Sequence, residues 1–411
     1  MGLKSGGRLA EELAVAYMER RPDDAERTQL GPAPDWEAAI DDVISGPGSI
    51  RPVFQPIVDL RRGLVCGYEM LSRFAGPPEA PPDVWFREAG ALGLRADLEA
   101  KALEVGLGSR DALPPNCFLT INVDPASLGE PLIEEVWRRH GRLHNLVIEL
   151  TEESPADDER LRFQLAELRE RGAMIAIDDV GTGYSGLQRI SHQRPEFIKV
   201  DRVLVSGLRR DPANREMVES LGAVASRLDA WLIAEGIEEI EDLETLMRIG
   251  VPLGQGFCLA RPQRGMVGPE LPLSEWIRAH AAPQETVRGG IGPRLWSNLA
   301  PLLLETWEVD AELRLRSEPD VGHLPVVTAE GRPVGLVARE SFRRGEVRLV
   351  PPLCALVGEN PAHLAKRAMA RSAESRTDPI VCCDEQGLYL GPIALETLIE
   401  ALADGLLARE A

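Results

Sequence analysis

Met174-Ile175-Ala176-Ile177-Asp178-Asp179 runs an apolar strand pattern straight into two consecutive carboxylates. Such a strand is buried, and a charged or amide group at its end costs free energy unless a partner meets it. Four more stretches end in the same way. Residues 118–122 finish at Asn122, 146–149 at Glu149, 197–201 at Lys199 and Asp201, and 231–235 at Glu235. Helical patterns lie between them: Leu161, Leu165 and Leu168 share one face, as do Val218, Leu221, Ala225 and Leu228, and then Ile240, Leu243 and Met247. Alternating strand and helix predicts a parallel sheet. Strand ends that all carry chemistry predict α/β architecture closed into a TIM-like (β/α) barrel, with those side chains gathered on one face as an acidic cup.

The composition bounds what such a cup can serve. Lys and Arg number 46 against 66 Asp and Glu, a net charge of −20 over 411 residues. That field repels polymeric nucleic acid and anionic lipid, so neither is an expected partner. An anionic substrate therefore needs local cations, either bound metal or particular Lys and Arg. No run reaches the roughly 18 apolar residues of a membrane span, and residues 1–23 mix charges with Leu and Ala where a signal peptide has an apolar core. Cys66, Cys117, Cys258, Cys354, Cys382 and Cys383 form no Cys-x-x-Cys pair and mostly sit in apolar runs, as reduced thiols of a cytoplasmic protein do. None of the six His has ligand spacing. Any metal is then held by oxygen, which favours Mg²⁺ or Mn²⁺ over zinc.

Four segments follow along the chain. Residues 1–48 read as a peripheral extension, helical over 8–20 and again around 35–44, broken by Pro47-Gly48. Residues 49–262 hold the barrel. Residues 263–293 form a Pro-, Gly- and charge-rich linker with a short helix near 273–281. Residues 294–411 contain a repeat: 324–331 followed by Gly335 matches 380–387 followed by Gly391, each a strand, a turn at Gly and a second strand. Repeats of this length stack to complete a shared core. Residues 395–407 have the apolar spacing of a helix packed on that repeat or on a partner.

Gly181, Gly183 and Gly186 imitate a dinucleotide-binding fingerprint, with Asp201 downstream. Asp178 and Asp179 argue against it, because they stand where a pyrophosphate has to approach. Taken singly, the other residues have plain readings. Glu69 fits a solvated loop charge, Asn122 a turn before Asp124-Pro125, Lys199 with Asp201 an internal ion pair, Asp178-Asp179 a helix cap, and Glu238 a helix-start charge. Their joint occurrence at the same end of successive strands favours one shared site. Adjacent carboxylates there suit two divalent ions, a pair that serves in-line phosphoryl displacement.

The motifs resemble the EAL family of cyclic di-GMP phosphodiesterases over residues 53–262. The blocks are Phe54-Gln55-Pro56-Ile57-Val58, Tyr68-Glu69-Met70-Leu71-Ser72-Arg73, Ile121-Asn122-Val123, Ile148-Glu149-Leu150-Thr151-Glu152, residues 178–185, Ile198-Lys199-Val200-Asp201, Ala234-Glu235-Gly236-Ile237-Glu238 and Gly254-Gln255-Gly256-Phe257. The resemblance implies a first metal on Glu69, Asn122, Glu149 and Asp178. It implies a second on Asp178, Asp179 and Glu235, with Gln255 as a metal–water contact. Lys199 would orient or help deprotonate the attacking water, and Glu235 and Glu152 complete the catalytic group, Glu152 by holding the 178–185 loop. Gln55, Leu71, Arg73 and Asp201 would meet the substrate. Two Mg²⁺ or Mn²⁺ ions, cyclic di-GMP and a homodimer are the implied cofactors and partners, and linear pGpG the product.

The chain departs from the family at Met70, which replaces the Ala of the name-giving tripeptide and brings a longer side chain beside the first ligand. It departs again at Val180 and Gly186, in the loop the family uses to couple metal binding to dimerisation. A barrel that recognises cyclic di-GMP without hydrolysing it is the alternative, and a barrel acting only through protein contacts is a third. The C-terminal repeat resembles a CBS pair, a smaller α+β regulatory module. The hydroxyl and acid such modules use for nucleotides are replaced by Ala338 and Ser341 in one copy and by Ala394 and Thr397 in the other. That favours a regulatory or dimerising role.

Overall fold

Alternation along short strands builds the barrel. The computed structural model describes residues 34–114, 116–150, 159–181, 185–281, 291–344, 348–369, 371, 375–384 and 386–410. Strand β1 (Ile50–Asp59) turns over residues 60–63 into β2 (Leu64–Phe74). Then come β3 (Phe118–Val123), β4 (Leu146–Leu150), β5 (Met174–Val180), β6 (Phe197–Val200), β7 (Trp231–Ala234) and β8 (Leu253–Gly254). The eight pair in chain order and close into a barrel. β2 to β8 are parallel, as expected of a TIM-like fold. β1 is antiparallel to both β2 and β8, because a short turn joins only antiparallel strands.

Two inward layers result. The lower one is apolar: Ile57, Phe118, Val147, Ala176, Phe197, Ile233 and Leu253 form one buried cluster. At this level β2 carries Gly67, where a Cβ would lie 2.4 Å from the Phe118 ring. Two positions toward the mouth, side chains again face inward. Here the eight are Gln55, Glu69, Thr120, Glu149, Asp178, Lys199, Glu235 and Gln255, one from each strand or the residue just after it. The outward faces, among them Leu119, Ile121, Ile148, Ile175, Ile177 and Ile198, join the main core beneath the helices.

The helices of this unit are α1 (Trp36–Ser45), α2 (Pro82–Leu92), α3 (Arg95–Gly108), α4 (Pro131–His140), α5 (Glu159–Glu170), α6 (Ser185–Gln193), α7 (Arg202–Val205), α8 (Pro212–Arg227), α9 (Ile240–Arg248) and α10 (Leu271–His280). The expected peripheral character of residues 1–48 does not extend to α1. Asp35 caps it through the Ala38 amide, and its Ile40 and Val43 are buried with Ile50, Trp85 and Leu98. Similarly, α10 buries Ile277 in the barrel core although its segment reads as a linker. The helix expected over 8–20 lies outside the described residues.

The C-terminal repeat is visible as two copies of one chain path. The first is β9 (Leu302–Leu303), α11 (Trp307–Ser317), β10 (His323–Val327), β11 (Pro333–Ala338) and α12 (Arg339–Arg344). The second is β12 (Cys354–Leu356), α13 (Pro361–Met369), β13 (Ile380–Cys383), β14 (Tyr389–Ile393) and α14 (Leu395–Glu410). Each makes a three-stranded sheet with the first hairpin strand in its centre. The turns are held by Gly331 and Gly387, at φ 84° and 78°. The copies touch where Leu336 packs with Val381 and Cys383, and Arg332 Nη1 donates to the Gln386 carbonyl at 2.9 Å.

This half lies against the foot of the barrel, at the end opposite the cup. Arg62, in the β1–β2 turn, is buried in an ion pair with Glu359 and pairs also with Asp59 at 3.1 Å. Arg367 meets the other oxygen of Glu359 at 2.7 Å. Asn116, just before β3, donates to the Pro351 carbonyl at 2.7 Å.

Candidate active site

Register sets the site before any side chain is considered. Gln55 lies opposite Glu69, Asn122 opposite Glu149, and Glu69 opposite Thr120. The polar layer therefore closes into a ring. At its centre stands the Lys199 ammonium, 1% exposed, 2.6 Å from Glu235 Oε1, 2.8 Å from Glu149 Oε2, 3.2 Å from Asp178 Oδ1 and 3.8 Å from Glu69 Oε1. Asn122 Nδ2 donates to Glu69 Oε1 at 3.0 Å. Gln255 Nε2 donates both to Glu69 Oε2 at 2.5 Å and to Gln55 Oε1 at 3.0 Å. Gln55 in turn donates to the Ala260 carbonyl at 3.1 Å.

Adjacent residues of a strand normally face opposite sides, so Asp178 and Asp179 should not share a cup. They do because β5 is irregular. Its register with β6 slips between Ile177 and Val180, and Asp179 adopts φ 55°. That left-handed conformation is one Asp tolerates better than most residues. Oxygens of Asp178, Asp179 and Glu235 consequently lie within 4.8 Å of one another. The Asp179 amide also donates to Asp178 Oδ1 at 2.9 Å.

Crowding so many acids away from water raises their proton affinity. Burial, reinforced by Glu69 and Asp178, pushes Glu149 up to about 8 despite the opposing pull of Lys199. Burial and then Asp178 and Asp201 push Asp179 up to about 7. Glu235 is raised well above the carboxylate range, again mainly by burial. For Lys199 burial acts the other way, but Asp178, Glu149, Glu235 and Glu69 outweigh it and hold the ammonium charged. One oxygen of the fully buried Glu149 and the Gln255 Oε1 have no hydrogen-bond partner among the described residues.

The other expected residues are placed as follows. Glu69, Leu71 and Arg73 alternate along β2 and so share the face at the mouth, Leu71 half-buried and Arg73 exposed. Among the described residues Arg73 Nη1 donates only to the neighbouring Ser72 carbonyl, at 2.9 Å, and Arg73 lies opposite Arg51 in the register. Asp201 is hydrogen-bonded to Asp179 and caps α7 by accepting from the Val203 amide at 2.6 Å. Glu152 lies outside the described residues, as does much of the 178–185 loop beyond Gly181.

Two departures need correction. Met70 does not crowd the ligands, because alternation turns it outward. It is 3% exposed against α3, with its Cε only 2.5 Å from where a Cβ of Gly106 would stand. Val180 is not a loop residue. It ends β5, paired with Val200 and 2% exposed. One member of the ring was missed. Thr120 is fully buried with its hydroxyl unpartnered among the described residues, and its signal was the period of two running from Phe118 to Asn122.

A family model for the EAL domain matches residues 40–262, a little over half the chain. "Probable cyclic di-GMP phosphodiesterase PdeG" of Escherichia coli is 30% identical over 227 residues, 52% of this chain and 45% of that protein. "Cyclic di-GMP phosphodiesterase RocR" of Pseudomonas aeruginosa is 29% identical over 268 residues, 61% of this chain and 66% of that protein. The chain spans about half the length of most such curated relatives. The solved "PaMucR Phosphodiesterase, c-di-GMP complex" superposes with a TM-score of 0.50 at 24% identity, covering 58% of this chain and all of that one, a likeness of fold. Among the described residues no helix is long and apolar enough to cross a membrane.

Proposed function

Because the chain belongs to the EAL domain family, we propose that its barrel hydrolyses cyclic di-GMP with the help of two divalent cations. The relatives' names point to that substrate, and the charge of the ring carries the reading. Five carboxylates, Glu69, Glu149, Asp178, Asp179 and Glu235, surround a single ammonium. Fully ionised, they exceed it by the charge of two divalent cations.

The donor set fits hard ions. It is oxygen throughout, with no imidazole or thiol in the ring, and one oxygen each of Glu149 and Gln255 has no hydrogen-bond partner among the described residues. Glu69, Asn122, Glu149 and Asp178 would hold one cation. Asp178, Asp179 and Glu235 would hold the other, with Gln255 contacting a water between them. When bound, such a pair lowers the pKa of water and neutralises charge on the phosphoryl oxygens.

The chain's own groups do the rest. Lys199 is a permanent donor here, so it would orient the attacking water through an N–H and leave proton removal to the carboxylates beside it. The water oxygen bonds to phosphorus and the bond to one ribose 3′ oxygen breaks, which takes up a proton and leaves linear pGpG. Arg73, free of any carboxylate among the described residues, would reach a phosphate of the substrate, with Gln55 and Leu71 lining the same side. Asp201 would act through Asp179, holding it in its strained conformation. Incubating the purified chain with cyclic di-GMP and Mg²⁺ or Mn²⁺, then resolving the products by chromatography, tests the proposal. Metal-dependent pGpG is expected. Bound but uncleaved cyclic di-GMP would make the barrel a receptor.

A further inference from the structure

The foot of the barrel, away from the cup, holds a cavity of about 320 Å³ between the strand ends and the C-terminal half. Cys66, Phe118, Met174, Phe197, Trp231 and Leu253 line it from the barrel, and Met369 faces them from α13. The Phe118 and Phe197 rings stand 5.0 Å apart and make an aromatic wall.

Charge around this apolar space is uneven. Asp59 and Glu196 line it, but both are engaged. Asp59 accepts from the Arg61 and Arg62 amides at 2.9 and 3.0 Å and pairs with the Arg62 guanidinium. Glu196 pairs with Arg169 at 3.0 Å and accepts from the Ile175 amide at 2.8 Å. Arg367 is spent on Glu359. Arg376 is different. Among the described residues its side chain makes one hydrogen bond, to the Arg371 carbonyl at 3.5 Å, and its Nε is buried without a partner there. Nearby, His144 Nε2 is also buried without a partner. Burial, with Arg376, Arg142 and Arg110 close by, lowers the His144 pKa and leaves that ring neutral.

We propose that this basal cavity binds a small amphipathic anion: an apolar or aromatic body against the Phe118–Phe197 wall, and one carboxylate paired with Arg376. An apolar space costs a neutral polar guest or a cation its hydration with nothing in return. A guanidinium with no carboxylate partner among the described residues repays an anion with a charge-assisted, bidentate contact. In a chain of net charge −20, that is a rare local preference.

Isothermal titration calorimetry of the full chain with naphthalene-2-carboxylate tests it, with the uncharged naphthalene-2-carboxamide alongside. Saturable one-to-one binding of the carboxylate is expected, with the amide weaker by about tenfold or more. Arg376→Gln should weaken the carboxylate by a similar factor without changing the amide, and Arg376→Lys should recover part of the loss. No saturable heat up to the solubility of the probe, equal affinity for acid and amide, or an unchanged affinity in Arg376→Gln would each overturn the proposal. The acid–amide comparison needs no variant, so it decides the matter even if a substitution unfolds the protein. The readout is heat of binding and not turnover, so it stands apart from what the cup does to cyclic di-GMP.

Discussion

Replacing Lys199 by Met would remove the ammonium that pairs with the ring carboxylates while roughly keeping the volume. Its ammonium is buried within 3.2 Å of three carboxylates. Breaking a buried ion pair from one side costs about 3–5 kcal/mol. In a unit the size of the barrel each kcal/mol moves the melting temperature by about 2–4 °C, so a fall of about 10 °C in its transition is expected without metal. The loss should depend on pH in a definite sense. Glu149 and Asp179 hold their protons in the folded state up to about 8 and about 7, well above the value of the unfolded chain. Such groups favour the fold below the unfolded pKa and lose that contribution as pH rises through the folded one. Removing Lys199 raises those pKa values further, so the deficit should be small near pH 5 and full above about 8. Divalent cations should offset it, since a ligand at a hundred times its Kd adds about 2.7 kcal/mol to the folded state. Melting curves of both proteins at acid and alkaline pH, in EDTA or in Mn²⁺, provide the assay. A variant that melts with wild type in EDTA at alkaline pH, or a deficit that Mn²⁺ leaves untouched, would refute the electrostatic account of the ring.

Glu149→Gln keeps the shape but removes a carboxylate that pairs with Lys199; Mn²⁺ affinity measured by calorimetry should fall at least tenfold, and pGpG formation with it. Glu99, 4% exposed and accepting from the Asp124 amide, is pushed up to about 7 chiefly by burial. Stability should therefore decline by up to about 3 kcal/mol as pH rises from 4.5 to 7, and Glu99→Gln, probed by urea unfolding, should match wild type near pH 5 and exceed it at pH 8. Met70→Ala should cost about 2–5 kcal/mol by emptying the space over Gly106, yet turnover per folded molecule should stay within about twofold, because that side chain faces α3 and not the ring.

The barrel and most of the ring were legible because both follow from one period. A strand that alternates apolar and polar residues announces its inward face, and five strands did so with oxygen donors or Lys199 at matching ends. Gln55 and Gln255 were weaker signals, since β1 runs in reverse and β8 has only two residues. Thr120 was overlooked because a hydroxyl mid-strand reads as ordinary β propensity. The sharing of Asp178 and Asp179 was right in outcome, but its cause was not in the pattern. Simple alternation puts them on opposite faces, and only the left-handed backbone at Asp179 brings them together. The misreading of Met70 is the same error in the other direction. Adjacency in sequence is not adjacency in space, because a strand makes neighbours face apart.

The two inward layers also explain why so acidic a ring can exist at all. Each ring residue stands two positions above an apolar partner, so the strands are anchored below the site by a core that asks nothing of the acids. Glu149 above Val147, Asp178 above Ala176 and Lys199 above Phe197 are the clearest cases. The cost of the crowded carboxylates is then local and is offset by Lys199 and by retained protons, and in the proposed enzyme by bound cations as well. These compete, because a proton on Glu149 or Asp179 occupies the lone pairs a cation would use. Cation affinity should therefore rise as pH climbs through the range of about 7 to 8 where these two acids lose their protons. Mn²⁺ titrations at pH 6 and pH 8.5 provide the check. Affinity at least tenfold tighter at the higher pH is expected, and a pH-independent value would mean that the ring acids are already ionised and that the burial argument fails.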